Sequence, residues 1–194
     1  MVHTILDAGM DVIEESGLHS MSTNRVAERA GVSIGSLYQY FANRESILAG
    51  IIERSLLDIL HRLREVQRFD HDTAPEEFIG GGLRMMLRYY DPHQSVVRRI
   101  FREAPLLADN SVVAVMETNL MDISRDYLLA NADRYRLRGG LPALYVAVNS
   151  LILLYLKWLV SPHPLLTEDE FVDAVVAQVT QVFQPIEPGR ATHK

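Results

Sequence analysis

The sequence contains no cysteine. That excludes a disulfide framework, thiolate metal sites and thiol nucleophiles. A basic leader is also missing: Asp7, Asp11, Glu14 and Glu15 interrupt the apolar residues of positions 1–17, so no secretory signal is expected there. Positive charge is scarce. Nineteen Lys and Arg against 25 Asp and Glu give a net charge of −6. Within positions 1–50, Arg25, Arg29 and Arg44 face six acids, Asp7, Asp11, Glu14, Glu15, Glu28 and Glu45. Bulk charge therefore does not make this chain a polyanion binder, and any nucleic-acid contact has to come from the placement of particular side chains. Period-two alternation of apolar and polar residues is lacking, so no strand is expected, and there is no internal repeat. No nucleophile–base–orienter set and no His-Glu-x-x-His is present, so no catalysis, cofactor or metal is expected. One long hydrophobic run exists, at 141–160, which is long enough to cross a bilayer. It carries Pro142, Asn149, Ser150 and Lys157 and has no companion span, so it is expected to be buried in a protein or an oligomer instead.

What is present is apolar residues at helical spacing. They make up 48% of the chain, enough for a packed core. Ile5, Leu6, Gly9, Val12 and Ile13 form a first stripe, closed by Gly17. Ser22 suits the N-cap of a short helix carrying Val26, Ala27 and Ala30. A second short helix carries Leu37, Tyr38 and Phe41. Asn43 caps a long third helix with Glu45 in its first turn and apolar residues from Ile47 to Leu63. Further helices are expected from Pro75 to Tyr90, from Ser95 to Glu103, from Asn110 or Ser111 to about Arg136, over 142–160, and from Thr167, whose spacing to Glu170 is that of a capping box, to Phe183. The fold class is all-α: a three-helix module at 1–45, a larger helical bundle at 46–184, and a tail at 185–194.

Function is carried by residues 22–44. Two helices of about two turns are joined by Ala30-Gly31-Val32-Ser33, the plan of a helix-turn-helix. Ala27 and Ala30 are small enough for close helix approach. Gly31 tolerates the positive φ that leaves the first helix. Val32 fills the angle between the helices. Ser33 caps the second helix, whose first turn presents backbone N–H groups suited to a phosphate. Leu37 and Phe41 face inward, leaving Ile34, Ser36, Tyr38, Gln39 and Tyr40 on other faces. Gln39 suits an adenine edge and Ile34 a thymine methyl, while tyrosine hydroxyls suit phosphates.

This stretch resembles the tetracycline-repressor (TetR) family. Val26-Ala27, Ala30-Gly31-Val32-Ser33, Gly35-Ser36-Leu37-Tyr38, Tyr40-Phe41 and Asn43-Arg44-Glu45 carry the resemblance, with Arg44 where lysine is usual. It covers residues 5–55. The resemblance implies phosphate contacts from Ser33, Ser36, Tyr38, Tyr40 and Arg44. It places Ile34, Gly35 and Gln39 nearest base edges, with Arg25 reaching backbone or a base. It also implies a cytoplasmic regulator that is a homodimer on a double-stranded DNA operator, without a membrane partner. A small-molecule effector in the second domain would release it. The acidic first helix supports an alternative: a helical small-molecule-binding or catalytic protein whose helix-turn-helix is vestigial.

Past the motif, Met85, Met86, Tyr89, Met116, Met121, Tyr127, Tyr145 and Asn149 are candidates for a largely apolar ligand site, with Tyr155 and Trp158 nearby in sequence. Gly80-Gly81-Gly82 marks a delayed helix start or close helix contact, or else space left for a ligand. Val172, Val175, Val176, Val179 and Phe183 form a stripe expected to pair two chains. Arg98, Arg99 and Arg102 form a basic strip that serves either as a solvated face or as a link between domains. Asp70-His71-Asp72 with His61 or His93 lacks any fixed metal geometry and reads as scattered loop residues.

Overall fold

The computed structural model describes residues 1–66, 73–88, 94–103, 110–160 and 165–186. The chain forms α1 (Val2–Ser16), a 3-10 turn (Leu18–Ser20), α2 (Thr23–Ala30), α3 (Ile34–Tyr38), α4 (Arg44–Val66), α5 (Pro75–Arg88), α6 (Gln94–Glu103), α7 (Asn110–Ala130), β1 (Tyr135–Leu137), α8 (Gly140–Val160), α9 (Glu168–Val179), a second 3-10 turn (Thr180–Val182) and β2 (Phe183–Pro185). It divides into two compact units. The first comprises Met1–Ile59, Tyr89–Val115 and Leu159–Pro162; the second comprises Leu60–Arg88, Met116–Trp158 and His163–Lys194.

The first unit is built on local chemistry that fixes where each helix starts and stops. Ser22 caps α2 by accepting the Arg25 N–H at 3.4 Å. Gly31 ends α2 at φ 67°, ψ 30°, the left-handed conformation that an L side chain resists. Ser33 caps α3 by accepting the Ser36 N–H at 3.0 Å. Asn43 caps α4: its Oδ1 accepts the Ser46 N–H at 2.8 Å, and Ser46 Oγ in turn accepts the Asn43 N–H at 3.2 Å. Each cap contributes about 1 kcal/mol. Behind the caps, Ile5, Ile13, Val26, Leu37, Ile47 and Ile51 are fully buried, each contributing about 1.5–3 kcal/mol by leaving water. Arg54 on α4 pairs with Asp7 on α1 at 2.9 Å. From α6, Ile100 and Phe101 are buried, and the Arg99 guanidinium donates to the Ile13 carbonyl at the end of α1, at 3.1 Å.

In the second unit α5 packs against α9. The glycine run falls within α5, not ahead of it. A Cβ on Gly80 would stand 3.4 Å from Val176 Cγ2 and 3.1 Å from Arg84 Nη1. The helix cost of this glycine, about 1 kcal/mol, is thus offset by close approach of α9. Arg84 pairs with Asp173 at 2.9 Å, and Arg88 pairs with Glu168 and Asp169 along the same seam. The capping box at Thr167 forms in both directions. Its hydrogen bonds from the Thr167 backbone and hydroxyl hold the Glu170 carboxyl below its ordinary range.

Three expectations about secondary structure fail here. Strands are present: β1 and β2 pair antiparallel, Tyr135 with Pro185 and Leu137 with Phe183. The long helix ends at Ala130, not near Arg136. The last helix ends at Val179, so Phe183 lies on β2. Asn131 explains the first stop. It is wholly buried, its Nδ2 donates to the Tyr127 carbonyl at 3.1 Å, and its own carbonyl accepts the N–H groups of Arg134 and Tyr135. Those bonds turn the chain out of the helix. Strands of three residues are too short to display a period in sequence.

Candidate functional site

The structure brings most of the proposed DNA contacts onto α3 and the turn that follows it. Leu37 and Phe41 are buried beneath α3. Ser33, Ile34, Gly35, Tyr38, Gln39 and Tyr40 are exposed, and Ser36 is half-buried. Tyr38 and Tyr40 leave 51% and 50% of their surface in solvent, although both flank the core residues of the module. Large aromatic rings held out by a short, capped helix present phenol hydroxyls to a partner without needing positive charge. The helix is shorter than the sequence suggests: it ends at Tyr38, and Gln39 occupies its C-cap. The Ser33 cap also uses the Ser36 N–H, and the two serine hydroxyls stand 2.8 Å apart. Thr23 was not among the sequence candidates, yet its hydroxyl lies 3.2 Å from that of Tyr38. The run Ser22-Thr23-Asn24 at the start of α2 was the available signal.

The arginines are placed differently from the clamp that the resemblance implies. Arg25 donates to the Ser20 carbonyl at 3.1 Å and to Ser16 Oγ at 3.0 Å. Arg44 donates to the Leu18 carbonyl at 2.7 Å and lies 3.7 Å from Glu45. Arg29 forms a two-pronged bond to Glu15 and stands 3.7 Å from Asp11. The hydrogen bond from Arg29 draws the Glu15 carboxyl below its ordinary pKa and raises that of the guanidinium. All three cations of the module are thus bound to acceptors of the same unit.

The second unit holds an apolar hollow of two adjoining lobes, about 60 and 40 Å³, each open on one side. Phe78, Ile79, Ser124, Val148 and Leu151 line both lobes. Leu63, Gly82, Leu83, Met86, Leu120 and Ile123 complete the first; Leu144, Ala147, Val179 and Phe183 complete the second. Among the ligand candidates that lie in the described residues, only Met86 is on this wall. Met116 is fully buried, and Met85 and Met121 are half-buried away from it. Tyr127 is fully buried behind the hollow, stacked on Phe78 at 4.1 Å, with its hydroxyl donating to the Thr73 carbonyl at 2.8 Å. Burial pushes its pKa up to about 12, which keeps it protonated as that donor. Tyr89 lies outside the described residues. So do Tyr90, His93 and the stretch from Asp70 to Asp72. Among the described residues no group of three or more His, Cys, Asp or Glu is arranged to hold a metal.

Tyr145 and Asn149 correct the reading of α8. Its hollow-lining face is Leu144, Ala147, Val148 and Leu151. Tyr145 and Asn149 lie instead on an outward stripe with Leu141 and Leu153, at four-residue spacing, and Asn149 Nδ2 donates to the Tyr145 carbonyl. Leu141 and Leu153 are 65% and 60% exposed, with Val146 and Leu154 beside them. The stripe expected on α9 is consumed within the chain: Val172, Val175 and Val179 are buried in the second unit, Val176 meets Gly80, and Phe183 is half-buried against Tyr127. Helix α8 is long and apolar enough to cross a membrane, yet only 33% of its most apolar window is buried in the chain.

A capped helix-turn-helix with an exposed polar and aromatic second helix, followed by further helices enclosing an apolar hollow, defines an all-α protein with an N-terminal helix-turn-helix module and a helical second unit. Residues 5–51 match the family model described as bacterial regulatory proteins, tetR family. Over these residues the chain is similar to that family. It is 36% identical over 61 residues to the fatty acid metabolism regulator protein of Bacillus subtilis (strain 168), covering 31% of each chain. It is 32% identical over 109 residues to the HTH-type transcriptional regulator RutR of Escherichia coli (strain K12), covering 54% of this chain and 50% of that one. The chain thus spans between about a third and a half of the length of these curated relatives, at 31% and 50%. Its fold is similar to that of the multidrug binding protein EbrR in complex with imidazole (TM-score 0.64, 16% identity, 97% of both chains). It is equally similar to the TetR family repressor AlkX of Dietzia sp. strain DQ12-45-1b (TM-score 0.64, 18% identity, 95% of this chain and 98% of that one).

Proposed function

We propose that this protein is a cytoplasmic, non-enzymatic transcriptional repressor that binds a palindromic operator as a homodimer and is released by a small, largely apolar ligand. The observation that carries the reading is the exposure of Tyr38, Gln39 and Tyr40 on and just beyond an α3 whose core side is sealed by Leu37 and Phe41. Such a helix presents base-reading and phosphate-binding groups to the major groove. Gln39, Ile34 and Gly35 face base edges. Ser33, Ser36, Tyr38 and Tyr40 bind phosphates through uncharged donors, and Arg25 and Arg44 brace the module from within. Unlike the vestigial alternative, this reading accounts for two half-exposed tyrosines on so small an element.

The hollow supports the ligand, because its wall is apolar and it opens to one side. Solved structures of the same fold include EbrR complexed with ethidium and AlkX, which is implicated in biodegradation of n-alkanes. The outward stripe of α8 supports the dimer, since a monomer would leave it in water. Fluorescence anisotropy with a labelled duplex from upstream of the protein's own gene tests the reading. Sequence-specific binding that a thousandfold excess of unrelated duplex does not displace supports it. Equal affinity for both duplexes would overturn it.

A further inference from the structure

The lining of the hollow says which chemistry its ligand must have. Among the residues lining the two lobes none carries a charge, and Ser124 supplies the sole polar side chain. A carboxylate or ammonium brought against such a wall loses its hydration and gains no counter-charge. Ser124 lines both lobes, so this residue stands where they join. One lobe reaches to Leu63 and Met86, the other to Val179 and Phe183. An occupant of both lobes meets apolar side chains on either side of one serine.

We propose that the hollow selects an uncharged, elongated, apolar molecule with a hydrogen-bonding oxygen near its middle, held by the Ser124 hydroxyl. This specifies the ligand of the repressor proposed above and rests on that reading. The Ser124 O–H donates to a ketone or ether oxygen and can also accept from an alcohol. A terminal oxygen would lie out of its reach, in the hydrocarbon part of a lobe. Selectivity therefore depends on where the oxygen sits as well as on charge.

The test is calorimetric titration of the intact protein with 5-nonanone, 1-nonanol, nonanoate and nonyltrimethylammonium, four probes of similar apolar length. The expected order has 5-nonanone tightest, with both charged probes weaker by about tenfold or more. Ser124→Ala is expected to weaken 5-nonanone about fivefold, the scale of one neutral hydrogen bond, and to leave 1-nonanol within about twofold. Val148→Phe, which fills the shared wall, is expected to weaken every probe, with circular dichroism confirming that both variants fold. A charged probe binding as tightly as 5-nonanone would overturn the proposal. So would an unchanged affinity of Ser124→Ala for 5-nonanone, or no binding of any probe. DNA affinity measured alongside separates the two claims. Binding of 5-nonanone without DNA release supports the selectivity and sinks the ligand-controlled repressor; release by nonanoate does the reverse.

Discussion

The Tyr38 hydroxyl lies 3.2 Å from the hydroxyl of Thr23, joining the outer face of α3 to the first residue of α2. The bond is exposed, so its loss changes stability by less than about 0.5 kcal/mol. Its effect should appear in DNA binding, because it aims the phenol. Tyr38→Phe is expected to weaken binding to every duplex alike, by about tenfold, the scale of one hydrogen bond to a charged phosphate. Anisotropy titrations on specific and scrambled duplexes check this. A loss confined to one base position would mean that Tyr38 reads sequence.

Gln39 should behave in the opposite way. Gln39→Ala is expected to cost about 1–3 kcal/mol at one base pair per half-site and to relax preference there. Binding to a panel of single-position operator variants gives the answer. A uniform loss would make Gln39 a phosphate contact.

The salt dependence should be shallow. With Arg25, Arg29 and Arg44 engaged inside the unit, a dimer neutralises at most about one phosphate per module. The slope of log K against log salt is then about −2 or flatter. A slope near −6 would mean that the arginines leave their partners on binding. Arg44→Ala should lower the melting temperature, since it removes the bond to the Leu18 carbonyl.

Assembly should depend on α8. Leu153→Glu is expected to give monomers by light scattering, with the melting of the protomer little changed, because Leu153 is exposed within one chain. Val179→Glu is expected to unfold the second unit instead, since Val179 is buried there. Loss of dimers in Val179→Glu with full retention of the fold would return the interface to α9.

The capping box sets an acid dependence. The Glu170 carboxyl has a folded pKa below its ordinary value of 4.5. Its contribution is therefore present in full above about pH 4.5 and is lost as pH falls through the folded value. Thermal melts should separate the protein from Glu170→Ala at pH 7 and bring them closer as the pH is lowered below 4.5. A gap that widens on acidification would contradict the assignment.

Much of the module, and the start of α9, was legible because the signals are local. Ser22, Gly31, Ser33, Asn43 and Thr167 each act within three or four residues, and all occupy the caps or turns that their types suggest. The rest was set by contacts distant in sequence. Helical spacing identified Val172, Val175 and Val179 as one face but could not say whether α5 or a second chain covers it. Methionine and tyrosine drew attention as pocket residues, whereas Leu, Ile, Val, Phe and a serine form most of the wall and Met86 alone of those candidates joins them. Arg25 and Arg44 looked like free cations because their partners, the carbonyls of Ser20 and Leu18, leave no mark in a sequence. Strands of three residues paired across more than forty positions are likewise invisible to periodicity.

The central claim is that this chain reads a specific DNA sequence as a dimer. Selection from a random-sequence duplex library, with sequencing of the bound fraction, tests it most directly. The account predicts enrichment of one inverted repeat whose half-sites lie about 34–36 Å apart, or a small multiple of that spacing. A bound fraction indistinguishable from the input library would contradict it.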